Sequence, residues 1–389
     1  MPSINFSDTS IAFQYKSDTE LKQAHRLFKL LSYPTLVNIG ALFAPWLIRW
    51  GGKSLIKKTI YKQFVGGETR EECLQIIQTL AKYHIGSILD YSVEGEQNEE
   101  SFEQSKQEII QNILFSKDKP HIPFCVFKPT GMIRFALLEK VSASISLTPN
   151  EKNEWKKSKN RILEICQKAY EHQQPIFIDA EESWIQKAID DIADECMYLF
   201  NKQTCIVWNT FQLYRTDRLQ FLKESLKKAK QSAFLLGAKL VRGAYMEKER
   251  QRAAQMGYPS PIHPNKQETD KAYHQALNFC MENIDHVSIC AGTHNEESTQ
   301  HLIHLMETFH LANNDKRIYF SQLLGMSDHI SFNLAQAGYN VVKYVPYGPI
   351  KSVLPYLIRR AQENTSIKGQ TGRELALITS ELKRRLQHS

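Results

Sequence analysis

The sequence contains no CxxC pair, no G-x-x-x-x-G-K-[ST] run and no G-x-G-x-x-G run. The first absence argues against the common zinc and thioredoxin-like motifs. The other two remove the usual triphosphate-cradling loop and the dinucleotide fingerprint of open α/β sheets. Seven cysteines (Cys73, Cys125, Cys166, Cys196, Cys205, Cys280 and Cys290) are odd in number and widely spaced, so they read as reduced thiols rather than a disulfide framework. With 17 Gly and 14 Pro there is no collagen-like or disordered bias, and no internal repeat or low-complexity tract is present. The opening MPSINFSDTS has neither the basic-then-apolar order of a secretory signal nor the Arg-rich pattern of a transit peptide, so a cytoplasmic location is expected.

What is present suits a folded chain of 389 residues, 42% hydrophobic and 23% charged. The net charge of +7 is compatible with nucleic acid, an anionic membrane or an acidic ligand such as a dinucleotide, and selects none of them. From Leu30 to Ile48 no residue is charged, but Pro34, Asn38, Gly40 and Pro45 argue against a membrane-spanning helix. Arg49, Lys53 and Lys57 then recur at helical spacing, near Lys58 and Lys62, with Leu55, Ile56, Ile60, Tyr61 and Phe64 interleaved. Such a basic amphipathic segment suits peripheral contact with an anionic membrane, at an inner membrane face. The alternative is that residues 1–83 form a helical arm packed on the main domain.

From residue 84 onward, short apolar runs alternate with longer stretches of helical period, the pattern of βα units. Eight strands are expected: Ser87–Tyr91, Phe124–Lys128, Ile176–Asp179, Cys205–Trp208, Ala238–Arg242, Val287–Ala291, Ile318–Ser321 and Asn340–Tyr344. The polar stretch Glu94–Lys119 reads as a solvated first helix with its loops. The fold class is therefore α/β, a distorted (β/α)8 barrel over 84–389 with an N-terminal helical arm.

Polar residues at the C-terminal ends of barrel strands face the catalytic mouth. Lys128 closes the second expected strand, Asp179 closes the third, and Lys239 and Arg242 lie in the fifth; each, taken singly, also suits a local ion pair. In Lys239-Leu240-Val241-Arg242-Gly243-Ala244-Tyr245 cations adjoin a small-residue turn, where backbone N–H groups can approach a pyrophosphate. A tight βα loop explains the same residues. Arg359 and Arg360 on the last helix can converge on one carboxylate, and Glu363 can orient either of them; a solvated, ion-paired helix face is the plain alternative.

The ordered motifs FKPTG, IDAEES, WNTFQLY, KLVRGAY, GTHNEES, QLLGMSD, YVPYGP and YLIRRAQEN resemble those of proline dehydrogenases, over roughly Phe64 to Ile378. The likeness is strongest to the eukaryotic-type, single-function enzymes. It implies an FAD enzyme that oxidises L-proline to Δ1-pyrroline-5-carboxylate by hydride transfer from C5 to flavin N5 and passes electrons to a membrane quinone. Nucleic acid and metal are not expected.

By this resemblance Lys128, Asp179, Tyr245, Leu323, Tyr344, Arg359 and Arg360 would enclose the substrate. The arginines would grip its carboxylate, and Lys128, Asp179, Arg359 and Arg360 would be the catalytic set, with Lys128 and Asp179 in one ionic network. Gln212 would hydrogen-bond the flavin. Val241, Arg242, Gly243 and Ala244 would line it, with Lys239 and Glu363 close by. Thr293 and His294 would meet the ribityl or pyrophosphate region, Thr269 the adenosine, and Glu94 would pair with Arg359 as a gate. Lys239 and Met246 stand where the bifunctional bacterial enzymes have arginine and tryptophan. Tyr344 stands where hydroxyproline dehydrogenases have serine, so L-proline is expected over its 4-hydroxy form.

Three rivals follow from the residues: a Schiff-base aldolase with Lys128 as nucleophile, a methylenetetrahydrofolate-reductase-like flavin barrel, and a membrane-bound scaffold without activity.

Overall fold

The computed structural model describes residues 4–92, 98–366 and 370–387. Its eight strands are β1 (Ile85–Tyr91), β2 (Phe124–Phe127), β3 (Ile176–Ile178), β4 (Val207–Gln212), β5 (Leu236–Val241), β6 (Val287–Gly292), β7 (Ile318–Leu323) and β8 (Val341–Tyr347). They close into a parallel barrel in chain order. All eight expected strands are found. The boundaries differ most at two strands: β4 starts two residues later than expected and runs on to Gln212, and β8 continues to Tyr347, which leaves Tyr344 inside the strand rather than at its end; β1 and β5 start two residues earlier and β7 ends two later.

The chain falls into two compact units, one made of residues up to 95 together with 321–389, the other of 96–320. In the 96–320 unit the strands are buried on both faces, which is why they read as apolar runs. Near the strand starts Phe124 stacks on Phe177 with ring centroids 4.4 Å apart, and Trp208 and Tyr319 meet Phe124 edge-on at 5.3 and 4.8 Å. Gly237 on β5 makes room for this layer, because a Cβ there would lie 2.7 Å from the Trp208 ring. The Glu99–Ser116 helix is capped by the reciprocal pair Asn98 and Ser101. Its polar sequence conceals an inner face, since Phe102, Ile109 and Ile113 are buried.

In the other unit β1 pairs with β8 in the register Ile88↔Tyr344. Helices from both chain ends share one apolar core that includes Phe13, Phe28, Phe64, Val353, Leu357 and Ile378. Lys343 turns to one side of β8, where its ammonium lies 2.9 Å from Asp328, whose second carboxylate oxygen accepts from the Tyr15 hydroxyl at 2.6 Å. Burial alone would raise the Asp328 carboxyl, but Lys343, Lys16 and Tyr15 outweigh it and hold the group below its ordinary value. Ile56, Tyr61 and Phe64 are buried in this unit, so the apolar side of the stretch after Arg49 faces inward while Lys53, Lys57 and Lys58 stay exposed. All seven cysteines are buried, and none is in a disulfide.

Candidate active site

In the 96–320 unit, charged and polar side chains gather where strands β2 to β6 end. Lys128 follows β2 and opens a single 3-10 turn, Pro129–Gly131. Asp179 follows β3, and its carboxylate receives the Lys239 ammonium from β5 at 2.5 Å. Lys239 is buried, and its ammonium lies 5.4 Å from the Phe177 ring centre. Asp179 is thus tied to the fifth strand. The expected network joined Asp179 to Lys128; the link seen at 2.5 Å runs to Lys239.

Glu181, two residues beyond Asp179, is the group that reading the sequence passed over. It is buried, and its carboxylate accepts from the Thr130 backbone N–H at 2.9 Å and from the Thr130 hydroxyl at 2.5 Å. Burial pushes the carboxyl up to about 7, against the lowering influence of Thr130 and of Lys128. The Glu181 carbonyl accepts from the Gln212 side-chain amide at 2.9 Å. That bond fixes the Gln212 side chain and leaves its oxygen, Oε1, buried without a hydrogen-bond partner. An orphaned acceptor of this kind is unfavourable unless something else donates to it.

Arg242 lies one residue past β5 and is fully engaged. Its Nε donates to Asp270 at 2.8 Å, Nη1 to the Thr293 hydroxyl at 2.7 Å and Nη2 to the Ser298 hydroxyl at 2.8 Å, while the guanidinium lies 4.6 Å from the Tyr273 ring centre. Burial opposes ionisation of Asp270, but Lys266 and Arg242 outweigh it and keep the carboxyl below its usual range. Arg242 therefore holds the end of β5 to the end of β6, a role that its sequence context did not reveal. Gly243 follows at φ +140°, and a Cβ there would lie 2.4 Å from the Tyr214 ring. Only glycine fits that backbone without strain, and the turn leaves Gly243 and Ala244 exposed beside half-buried Val241 and Tyr245. Thr293 is buried and accepts from the Asn295 N–H at 3.1 Å; His294 beside it is half-buried. Thr269 is buried in the first turn of the Lys266–Glu282 helix, where its hydroxyl donates to the Asn265 carbonyl at 3.3 Å.

The second set belongs to the other unit. Leu323 is the last residue of β7 and is half-buried. Tyr344 is buried on β8; because neighbouring side chains on a strand alternate and Lys343 turns outward to Asp328, Tyr344 faces the barrel interior. Arg359 and Arg360 lie on the Ile350–Ser366 helix. Arg360 is buried, donates to Glu363 at 2.5 Å, and has its guanidinium 5.2 Å from the Tyr356 ring centre. Burial raises the Glu363 carboxyl above its ordinary value, while Arg360 and then Arg359 work the other way. Glu94 lies outside the described residues.

The residues assigned to a flavin fit one on two counts. Gln212 presents a buried acceptor with no partner, and the Gly243–Ala244 turn presents exposed backbone that a large planar group can approach.

A family model described as proline dehydrogenase matches residues 73–373. The carbapenem antibiotics biosynthesis protein CarD of Pectobacterium carotovorum subsp. carotovorum is 33% identical over 381 residues, covering 98% of this chain and 96% of that protein. Proline dehydrogenase 1, mitochondrial, of Dictyostelium discoideum is 31% identical over 427 residues, covering 97% of this chain and 75% of that protein. Among solved structures, proline utilization A (PutA) from Bdellovibrio bacteriovorus, inactivated by N-propargylglycine, is similar with a TM-score of 0.75 at 20% identity. That likeness is one of fold; it covers 94% of this chain, which spans 39% of the PutA chain. The sequence motifs, the closed barrel and a family match over most of the length agree: the chain belongs to the proline dehydrogenase family.

Proposed function

We propose that this chain oxidises L-proline to Δ1-pyrroline-5-carboxylate with FAD as its cofactor and a membrane quinone as the final electron acceptor. The observation that carries the reading is the buried Gln212 acceptor, left without a protein partner beside the Lys239–Asp179 pair in a member of this family.

FAD, when bound, supplies the capacity to take two electrons from the substrate. The chain's own residues bind and orient. Arg359 and Arg360 hold the proline carboxylate through charge-assisted hydrogen bonds, and the Arg360–Glu363 bond keeps one guanidinium in place. Tyr245, Leu323 and Tyr344 pack against the pyrrolidine ring and exclude water from it. Forming the cyclic imine breaks the C5–H and N–H bonds: the C5–H electron pair would leave as hydride to the FAD that these residues would hold, the amine lone pair would form the C=N bond and the N–H proton would pass to water, which requires the neutral amine. Lys128 and Lys239 keep positive charge at the strand ends, where it favours a cofactor that gains electron density. Gln212, Val241, Gly243 and Ala244 hold the cofactor ring, Thr293, His294 and Thr269 its ribityl, phosphate and adenosine parts, and Arg242 fixes the β5 and β6 ends that carry them.

Steady-state turnover of L-proline with a soluble quinone analogue tests the reading. Proline-dependent reduction of the acceptor with formation of the imine is expected. FAD-loaded protein that leaves proline untouched, or that instead oxidises NAD(P)H with a folate, overturns it.

A further inference from the structure

The Lys266–Glu282 helix packs against β5, β6 and the Arg218–Gln231 and Glu296–Thr308 helices. Along one side it carries a polar residue at every fourth position: Lys266, Asp270, His274 and Asn278. Residues four apart lie one above another on a helix, and each of these meets a partner. Lys266 pairs with Asp270, and Asp270 accepts from Arg242 Nε at 2.8 Å. His274 Nε2 lies 2.8 Å from Ser298 Oγ, and His301 Nε2 lies 2.7 Å from Asn278 Oδ1. The His274 and His301 rings lie against each other, with centroids 4.6 Å apart and planes 31° from parallel. Asp270 thus meets Arg242 directly, whereas half-buried His274 reaches it through Ser298.

The donors decide which way the Ser298 bond runs. A guanidinium can only donate, so Ser298 Oγ accepts from Arg242 Nη2 at 2.8 Å. The one hydroxyl proton then needs an acceptor of its own. Ser298 is buried, and its backbone N–H is already taken by the Asn295 side chain that caps the helix, so the hydroxyl is left to bridge Arg242 and His274. An O–H donated to His274 Nε2 requires a neutral imidazole with its proton on Nδ1. The surroundings favour that state. Burial, foremost, holds the imidazole below its ordinary value; Glu297 and Asp270 oppose it, while Arg242 and Lys266 reinforce it. His301 is lowered as well, by burial and then by His274 and His304, because a charge on one ring of the pair disfavours a charge on the other. The Arg218–Gln231 helix turns Lys223 and Lys230 to Phe279 and Asn283, and β6 brings only the Cys290 thiol.

We propose that His274 is a positioning residue for the cofactor: as a neutral acceptor it fixes the Ser298 hydroxyl, which in turn fixes Arg242 between the ends of β5 and β6. On protonation Nε2 becomes a donor facing Ser298, whose hydroxyl loses its acceptor, and a second cation stands near Arg242. The guanidinium is then held firmly by two side chains, Asp270 and Thr293, where it had three. Retention of the cofactor therefore weakens as pH drops below the ordinary histidine value of about 6.5 and is steady above it. The inference rests on the proposed function for the identity of the ligand, FAD.

Serial dilution of the FAD-loaded full-length protein tests the proposal, with release read as the rise in flavin fluorescence at pH 7.5 and pH 5.5. For wild type the dissociation constant should rise roughly tenfold at the lower pH, the worth of one hydrogen bond. His274→Gln, whose amide oxygen accepts without titrating, should match wild type at pH 7.5 and keep that affinity at pH 5.5. His274→Leu and Ser298→Ala should be weaker by about the same factor at both. Circular dichroism reports the fold of each variant, and Ser298→Ala carries the test if His274→Leu does not fold. Long-range proton–nitrogen NMR spectra of the histidines should place the His274 proton on Nδ1 at pH 7.5. Wild-type affinity that ignores pH, a His274→Gln variant that keeps the wild-type pH dependence, or a proton on Nε2 overturns the assignment. So does affinity that tightens as pH falls, which would make His274 a cation for the phosphates. Failure of every protein, wild type included, to take up FAD would sink the proposed function and this inference with it, whereas equal retention by all of them sinks this inference alone.

Discussion

Lys239 reaches from β5 to Asp179 at the end of β3 with 2.5 Å between ammonium and carboxylate, and solvent meets only 7% of the lysine side chain and 15% of the aspartate. Removing one partner of such a pair takes a close counter-charge from the other inside the protein. Lys239→Met is therefore expected to destabilise the protein by about 3–5 kcal/mol. Lys239→Met/Asp179→Asn should recover much of that loss. Denaturant unfolding of the two single variants and the double variant measures it; additive losses would show that the two groups act independently.

Glu181 gives a pH signature. Its carboxyl is pushed up to about 7 by burial, above the ordinary glutamate value of about 4.3, so the folded state binds its proton more tightly than the unfolded chain does. The stability that this provides is complete below the unfolded value and is lost as pH rises through about 7. Glu181→Gln keeps the acceptor for the Thr130 N–H without the titration. Relative to that variant, wild type should lose roughly 3 kcal/mol between pH 4.5 and pH 7.5. Parallel stability curves for the two proteins across that range would contradict this.

Arg359→Met or Arg360→Met should raise the proline KM strongly while FAD stays bound, since each removes a charge-assisted contact worth roughly 1.5–3 kcal/mol, a 10- to 150-fold change. Arg360→Met also removes the partner of Glu363, so its Glu363 carboxyl should take up a proton at higher pH than in Arg359→Met. Unchanged KM in both variants, read by initial rates at fixed acceptor, would remove the arginines from the carboxylate site.

Tyr344 is buried and faces the barrel interior from within β8. A ring hydroxyl on the substrate would meet its bulk, and a packed site resists added volume at a cost of roughly 1–3 kcal/mol, about a ten- to hundredfold preference in kcat/KM. L-proline should be favoured over trans-4-hydroxy-L-proline, and Tyr344→Ser should shift the ratio toward the hydroxylated substrate. A variant that loses stability with its selectivity unchanged would make Tyr344 a packing residue only.

The strands were legible because both faces of a barrel strand are buried and so appear as apolar runs. Their limits were less so, at β4 and β8 above all. Asn209, Thr210 and Gln212 look like the end of a strand, yet β4 runs through them because each finds a buried partner in Asp190, the Ile178 carbonyl and the Glu181 carbonyl respectively. Pro346 suggests a stop, as proline does in open sheets, whereas in β8 its carbonyl accepts from Gly66 and the strand continues to Tyr347. Glu181 was hidden inside an acidic run, IDAEES, that resembles surface composition; only burial singles it out. The turn after Arg242 did not show its partners Asp270, Thr293 and Ser298, because they come from distant sequence. The helical period after Arg49 showed an apolar face without showing what covers it: Ile56, Tyr61 and Phe64 turn into the core.

The central claim is that the orphaned Gln212 acceptor and the strand-end cations serve a flavin that L-proline reduces. An anaerobic absorbance scan of the purified protein, before and after addition of L-proline, tests it most directly. The account predicts a flavin band that bleaches on addition of L-proline and returns when a quinone analogue is added. A flavin band that L-proline leaves unchanged, or a protein that neither retains nor takes up FAD, would contradict it.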